Sequence, residues 1–170
     1  MILVIDKKFN PFNQDDYNSY IDFIKSIRFI FFDALFGSGS NVIFYGTYTR
    51  SIVTDSDTSR SVIKFQRVLD KSTGTTHILI PAQLIPYSSI PLQFQTMIIN
   101  ASDDDLPDLS VLFNLDPRTL LHIRSVFHAF WETLSDWFSI PLTSLPRKAF
   151  QLTGRQFMQM RGSIHLFPPT

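Results

Sequence analysis

Apolar positions in the first 36 residues change from helical spacing to a continuous run. After residue 16, large apolar side chains recur every three or four positions: Tyr17, Tyr20, Ile21, Ile24 and Ile27. This spacing predicts an amphipathic helix that begins near Gln14. The run that follows, residues 27–36, is almost entirely apolar and fits either a buried helix or a strand. The glycine-rich stretch at 37–41 ends it, so residues 1–36 form an N-terminal helical or apolar segment.

The next part of the chain alternates between apolar and polar residues, as half-buried strands do. Stretches at 41–54, 61–69 and 76–81 are rich in Val, Ile, Tyr and Thr, and polar turns separate them. Gly74 lies in the second turn, where glycine takes a positive φ at little cost. The pattern predicts a three-stranded antiparallel meander within a second segment, residues 37–90.

From residue 91 onwards the apolar spacing is helical again. One helix is predicted from Pro91 to Ala101, and a second begins in the acidic stretch at 103–105. The sequence NLD interrupts it, after which Asp116 has the features of an N-cap and Pro117 those of a first helical residue. These signals predict two helices joined by a tight turn.

The helix that begins at Pro117 is predicted to be long. Its apolar stripe continues to Phe138, and a further short helix is expected around 147–160. Residues 91–170 therefore form a helical third segment, which we expect to share one core with the other two. The chain is assigned to the α+β class: a small antiparallel meander packed with helices.

Composition supports a folded globular chain. Of the 170 residues, 44% are hydrophobic and only 18% are charged, which is not the composition of a disordered protein. The sequence has no cysteine, which excludes disulfides and thiolate metal sites. The most apolar window, residues 20–37, contains four charged residues and does not suit a membrane span. We therefore expect a soluble, cytoplasmic protein without a secretory signal or a cofactor.

Charge and aromatic content bear on the partners. The net charge is zero, which argues against a strongly electrostatic nucleic-acid binder. Residues 1–116 are nevertheless acidic and residues 117–170 basic, as in a chain with a basic binding half. Aromatic residues make up 14% of the chain, and a domain of this size cannot bury every ring. Some rings are therefore expected at a surface for a partner or a second copy.

The sequence LSVLFNLDPRTLLHI has the outline of a helix-turn-helix: a short helix, a three-residue turn and a second helix beginning with Pro-Arg-Thr. In such a unit the exposed start of the second helix enters the major groove of DNA. The candidate contacts are Arg118, Thr119, His122 and Arg124, and the candidate phosphate contacts further on are Arg147, Lys148, Arg155 and Arg161. An ordinary helical hairpin with solvated Arg and His side chains fits the same pattern.

Two stretches, FYGTYTRSIVT and IKFQRVLDKSTGTTHILIPAQLIPYSSIPL, resemble an uncharacterised bacterial zinc-ribbon family related to the N-terminal regions of insertion-sequence transposases. The resemblance covers roughly residues 30–130 and is sharpest at QRV, G-x-T-H and IPYS. It implies a ribbon of strands with two cysteine knuckles that hold zinc. The four ligand positions fall, within one residue for the first knuckle, on Phe32, Leu35, Asp70 and Thr73, none of which is cysteine.

Without thiolates, the resemblance implies no zinc site in this chain. A structural zinc contributes on the order of 10 kcal/mol in small modules, so its loss requires a replacement. We expect an apolar plug, formed by Phe32 and Leu35 at the first knuckle, to hold a metal-free ribbon. Asp70 and His77 are two candidate ligands without a third, and the acidic stretch at 103–105 is interpreted as a solvated helix start.

The sequence contains no recognisable catalytic motif, and we expect no enzymatic activity. The aromatic stretch FHAFWETLSDWF suits a stacking platform for single strands or, more often at this spacing, a core or dimer face. Trp131 and Trp137 are six residues apart and cannot share one narrow stripe. Together with Phe138 they are the candidate partner interface.

These patterns favour a non-catalytic nucleic-acid-binding or regulatory protein, and the resemblance implies that it derives from the recognition end of a mobile-element transposase-like protein. The alternative is a protein-binding inhibitor of a nucleic-acid-handling machine, of the anti-defence or anti-CRISPR kind, acting through an aromatic surface. A homodimer and a decayed remnant without activity also fit the sequence. The expected partners are therefore DNA or another nucleic acid, or a nucleic-acid-handling protein, and not a membrane.

Overall fold

A computed structural model describes residues 2–5, 13–54, 60–137, 139–145, 148 and 157–158. The chain divides into two compact units, Met1–Ile52 with Arg60–Gln83 and Val53–Ser59 with Leu84–Thr170. Strands dominate the first unit and helices the second. The α+β class predicted from the sequence is confirmed.

A four-stranded sheet forms the centre of the first unit. Its strands are β1 (Ile2–Ile5), β2 (Val42–Val53), β3 (Arg60–Asp70) and β4 (Thr75–Pro81), in the spatial order β1-β4-β3-β2. The three strands β2, β3 and β4 follow each other as neighbours, so the predicted meander is confirmed. Gly74 lies in the turn between β3 and β4 with a φ of 68°, as expected.

The first strand adds to the predicted meander. Residues 2–5, in the segment predicted as helical or apolar, pair in parallel with β4, from Ile2 opposite Ile78 to Ile5 opposite Pro81. The four residues ILVI are apolar and mostly β-branched, which favours an extended backbone. A run this short has no measurable period of its own, so only its neighbour in the sheet identifies it as a strand.

Two helices complete the first unit. Helix α1 (Gln14–Ser26) begins at Asn13, whose side chain accepts hydrogen bonds from the backbone N–H groups of Asp15 and Asp16. Its buried face consists of Tyr17, Tyr20, Ile21 and Ile24, in agreement with the predicted stripe. The apolar run that fitted either a helix or a strand forms helix α2 (Arg28–Phe36), which ends at Gly37 with a φ of 96°.

Helix α1 contributes a side chain, Tyr17, to the place where the paired register of β3 and β4 ends. The two strands are in register from Arg67 opposite Ile78 to Asp70 opposite Thr75. One position beyond, the hydroxyl of Tyr17 accepts from the N–H of Gln66 at 2.7 Å and donates to the carbonyl of Leu79 at 2.9 Å. The phenol thus takes the place of a direct ladder bond and holds both strands to the helix. Burial raises the pKa of this hydroxyl, so it stays protonated.

The second unit is a set of short helices. These are α3 (Leu92–Asn100), α4 (Leu106–Leu112), α5 (Pro117–Val126), a π-helical turn (Phe127–Trp131), α6 (Glu132–Trp137) and a 3₁₀ turn (Leu142–Ser144). None of the helices in the described part of the chain has the length and apolar content required to cross a membrane. The short helix predicted around 147–160 lies almost entirely outside the described residues.

The predicted long helix is interrupted. Between α5 and α6 the backbone widens into the π-helical turn, where the N–H of Glu132 bonds to the carbonyl of Phe127, five residues earlier. Phe127, Trp131 and Leu134 are nevertheless buried at four- and three-residue intervals. The apolar stripe therefore continues through the π-helical turn, and the spacing of apolar residues gives no sign of it.

Candidate functional site

Three helices of the second unit form a compact cluster. Helices α3 and α4 each pack against α5, and the rings of Phe94 and Phe113 stack with their centroids 4.3 Å apart. Leu120 and Ile123 of α5 are buried in the same core. The opposite side of α5 is therefore free of these apolar contacts.

A four-residue turn, residues 113–116, connects α4 to α5. Asn114 adopts a left-handed conformation with a φ of 47°, which asparagine tolerates better than most residues. The hydroxyl of Ser110 donates to the carbonyl of Leu115 at 2.6 Å and closes the end of α4. Asp116 then caps α5 by accepting from the N–H of Arg118 at 2.7 Å. The predicted break and helix start are both confirmed.

The α5 outer face consists of Arg118, Leu121, His122 and Ser125, all exposed. These residues follow one another at the three- and four-residue intervals of one helical stripe. Arg118 makes no ion pair with any described residue. Leu121 is 55% exposed in the middle of otherwise polar neighbours. The face therefore presents a cation, an imidazole, a hydroxyl and one apolar side chain.

The other two predicted contacts on α5 are less available. Arg124 bonds to Asp103 at 2.6 Å, and its side chain is only 22% exposed. This ion pair fastens α5 to the segment before α4, so Arg124 supports the cluster. Thr119 is half-buried and turns towards a cleft beside the helix.

That cleft has a volume of about 550 Å³ and lies between α5 and the loop at 85–90. Tyr87 stands at its edge with a φ of 64° and is largely exposed. Gln95 lies in its wall, where its amide nitrogen donates to the hydroxyl of Ser88 at 2.9 Å. The family resemblance includes this loop through IPYS, but no functional residue was predicted there, although the Pro-flanked YSS sequence is its local signal.

The predicted partner interface is corrected at Trp131. This side chain is 1% exposed and packs edge-on against Phe157, with the ring centroids 5.2 Å apart. It lies four residues after Phe127 on the buried side of the helix, so it belongs to no exposed aromatic surface of the described residues. The side chains of Trp137 and Phe138 lie outside the described residues.

Most of the phosphate contacts predicted after residue 137 lie outside the residues that the structure describes. Lys148 is exposed, whereas Arg147, Arg155 and Arg161 lie outside the described residues. Within residues 84–137 the sequence contains seven acidic residues and two arginines. The cluster of α3, α4 and α5 therefore has no broad positive surface, and only a few cations are available to meet phosphates.

The first predicted knuckle position lies on α2. Phe32 is buried and meets Phe44 of β2, with 5.4 Å between ring centroids. Leu35 is 44% exposed and does not join this contact, so its place in the expected plug is wrong. Phe36 takes that role instead, because its ring lies edge-on to His77 at 4.9 Å. Phe32, Phe36, Phe44 and His77 thus form an aromatic cluster that includes the first predicted knuckle position.

The second knuckle position is a hydrogen-bonded turn. The Asp70 carboxylate accepts from the hydroxyl and N–H of Ser72 and from the hydroxyl of Thr73, the last at 2.7 Å. These bonds from Ser72 and Thr73 lower the pKa of Asp70. Because its oxygens are engaged, and Phe32 and Leu35 carry no donor atom, the residues at the four positions do not fit zinc. The described residues contain no group of three metal-ligating side chains.

Two basic side chains of the first unit contain buried nitrogen atoms without a hydrogen-bond partner among the described residues. Both ring nitrogens of His77 and two of the three guanidinium nitrogens of Arg50 lack a partner among the described residues. Burial lowers the pKa of His77, and it lowers the pKa of Arg50 to about 10. The Arg50 guanidinium lies 5.5 Å from the ring centroid of Phe65, which offers partial compensation.

No protein-family model matches the chain, and neither a curated protein nor a solved structure was found to match it. The resemblance to the zinc-ribbon family therefore stays a prediction from the sequence.

Proposed function

We propose that this protein is a non-catalytic nucleic-acid-binding protein in which α4 and α5 act as a helix-turn-helix and α5 enters the major groove. The α5 outer face carries the proposal, because it is exposed while the opposite side of the helix is fixed in the core. A relation to the recognition end of a transposase-like protein belongs to the same proposal and rests on the sequence resemblance. A cytoplasmic location is also part of the proposal.

The local geometry supports this use of α5. A seven-residue helix, a four-residue turn and a second helix supported by α3 make up the minimum of such a unit. An α-helix with its side chains is about 10–12 Å across, and the major groove is about 12 Å wide. The capped start of α5 exposes Arg118, a residue type that bonds guanine through two parallel hydrogen bonds.

The charges indicate what kind of binding to expect. With one unpaired arginine on the α5 outer face and acidic residues nearby, few phosphates can be neutralised. The logarithm of the binding constant should therefore fall with that of the salt concentration by a slope of only about −1 to −3. Thr119 and Tyr87 contribute hydroxyls that can hold a phosphate without adding charge. Base contacts would then supply most of the discrimination.

The test is selection of bound duplexes from a randomised DNA library by the purified full-length chain at about 50 mM salt, where weak phosphate contacts still register. We expect enrichment of a short motif, and a loss of roughly 5- to 100-fold in affinity for it in Arg118→Ala. Lys71→Ala is the matched control, since it removes one exposed positive charge from a turn of the first unit. Absence of any enriched motif, or an equal loss in both variants, would contradict the proposal.

A protein-binding inhibitor is the second candidate, and one observation favours it. Helix α2 exposes Phe29 and Ile30 to 71% and 76%, and β2 exposes Tyr45 and Tyr48. Large apolar side chains at this exposure are typical of surfaces that meet another protein. Under this candidate, Phe29→Ser together with Ile30→Ser abolishes co-purification of a host nucleic-acid-handling protein, while Arg118→Ala does not affect it.

A further inference from the structure

Leu121 is a leucine without a role in the core. Its neighbours Leu120 and Ile123 are 0% and 5% exposed, whereas Leu121 is 55% exposed. It lies on the same stripe as Arg118 and Ser125, three residues before it and four after it. Exposing an isobutyl group there contributes nothing to the packing of α3, α4 and α5.

We infer that Leu121 recognises the 5-methyl group of a thymine, next to or one base pair away from a guanine that Arg118 contacts. The inference rests on the proposed function and names the sequence that the α5 outer face would read. Thymine alone among the four bases presents a methyl group in the major groove, and apolar side chains are its natural contact.

The dimensions of the face fit this assignment. Arg118 and Leu121 are three residues apart, about 4.5 Å along the axis of α5. This separation is comparable with the spacing of about 3.4 Å between neighbouring bases of one strand. The two side chains can therefore address adjacent or next-adjacent base pairs.

The chemistry of the other bases explains why Leu121 would discriminate. Guanine presents two acceptors in the major groove and cytosine an amino donor. A leucine that covers these groups removes their water and returns no hydrogen bond, which is unfavourable. His122 and Ser125 carry polar groups and tolerate several bases. Within the face, Arg118 thus prefers guanine and Leu121 prefers thymine.

The decisive experiment replaces thymine by uracil in the duplex selected by the full-length chain, since this change removes only the methyl group. We expect wild type to lose about fourfold in affinity on this replacement, the value for one buried methyl-sized group. In Leu121→Ala the same replacement should have almost no effect. Val62→Ala, an exposed aliphatic residue of β3, is the matched control and should retain the wild-type sensitivity.

The outcomes separate this inference from the proposed function. If wild type selects a motif but responds equally to thymine and uracil, or if Leu121→Ala keeps the full response, the reading of thymine is wrong while DNA binding stands. If wild type selects no motif, both fail. Thermal melting of Leu121→Ala should match wild type, because the side chain is exposed. A lowered melting temperature would assign Leu121 to the fold and overturn the inference.

Discussion

Polar contacts in the two units differ in how far along the chain they reach. In the first unit, Tyr17 bonds to residues 49 and 62 positions away, and Gln14 to a residue 50 positions away. In the second unit, Asp116 caps α5 two residues on, and Ser110 bonds five residues on, although Arg124 reaches 21 positions back. Polar side chains therefore join distant segments in the sheet. In the helices, most of them bond to backbone groups a few residues away.

The largest effect should come from Tyr17→Phe, which keeps the ring and removes the hydroxyl between β3 and β4. The N–H of Gln66 and the carbonyl of Leu79 would each lose their partner. We expect the free energy of unfolding to fall by about 2–4 kcal/mol, measured by urea denaturation. Tyr45→Phe, at an exposed position of β2, is the control and should change it by less than about 0.5 kcal/mol. A loss in Tyr17→Phe as small as that of the control would show that the long-range contact does not hold the sheet.

A smaller effect is expected from Asp116→Ala, because the lost cap is local. Removing an N-cap costs about 1 kcal/mol, and the fold should persist. Asp104→Ala removes a nearby exposed carboxylate that caps no helix and should leave the denaturation midpoint unchanged. If Asp116→Ala destabilised the chain as much as Tyr17→Phe, the contrast between distant and local contacts would be lost.

The smallest effect concerns pH and His77. Burial keeps this imidazole neutral in the folded state by lowering its pKa, while the unfolded chain binds a proton near pH 6.5. The free energy of unfolding should therefore be constant above that pH and decrease below it, by at most about 1.4 kcal/mol per pH unit from this group. His77→Phe should lose less stability than wild type between pH 7.5 and 5.5 in urea titrations. Identical losses in the two proteins would contradict the assignment, and His122→Gln, at an exposed site, should behave as wild type.

Local signals were sufficient to predict the turn between α4 and α5. The acidic cap at Asp116, the proline at 117 and the break before them act within a few residues, so the sequence displays them directly. The meander was predictable for the same reason, since its strands alternate and its turns are polar. In both cases the cause of the structure and its sequence signal lie in the same place.

Contacts between distant segments were not predictable in this way. The helical stripe shows that Tyr17 is buried, but not that its hydroxyl stands between two strands. On α2, neighbouring positions point about 100° apart, so Phe36 and not Leu35 meets the sheet. The same limit applied to the candidate site. Arg124 was predicted to contact DNA, but it pairs with Asp103, an aspartate 21 residues away.

The hydroxyl of Tyr17 also sets an order of events during synthesis. Its two partners lie at positions 66 and 79, so α1 cannot dock until the ribosome has released the third strand of the meander. Until then the apolar side of α1, including Ile21 and Ile24, has no sheet to cover it. The side-chain hydrogen bonds in the helices of the second unit are mostly local, so they can form as soon as the neighbouring residues have been synthesised. The apolar side of α1 is consequently an aggregation-prone surface on the nascent chain until β4 has been synthesised.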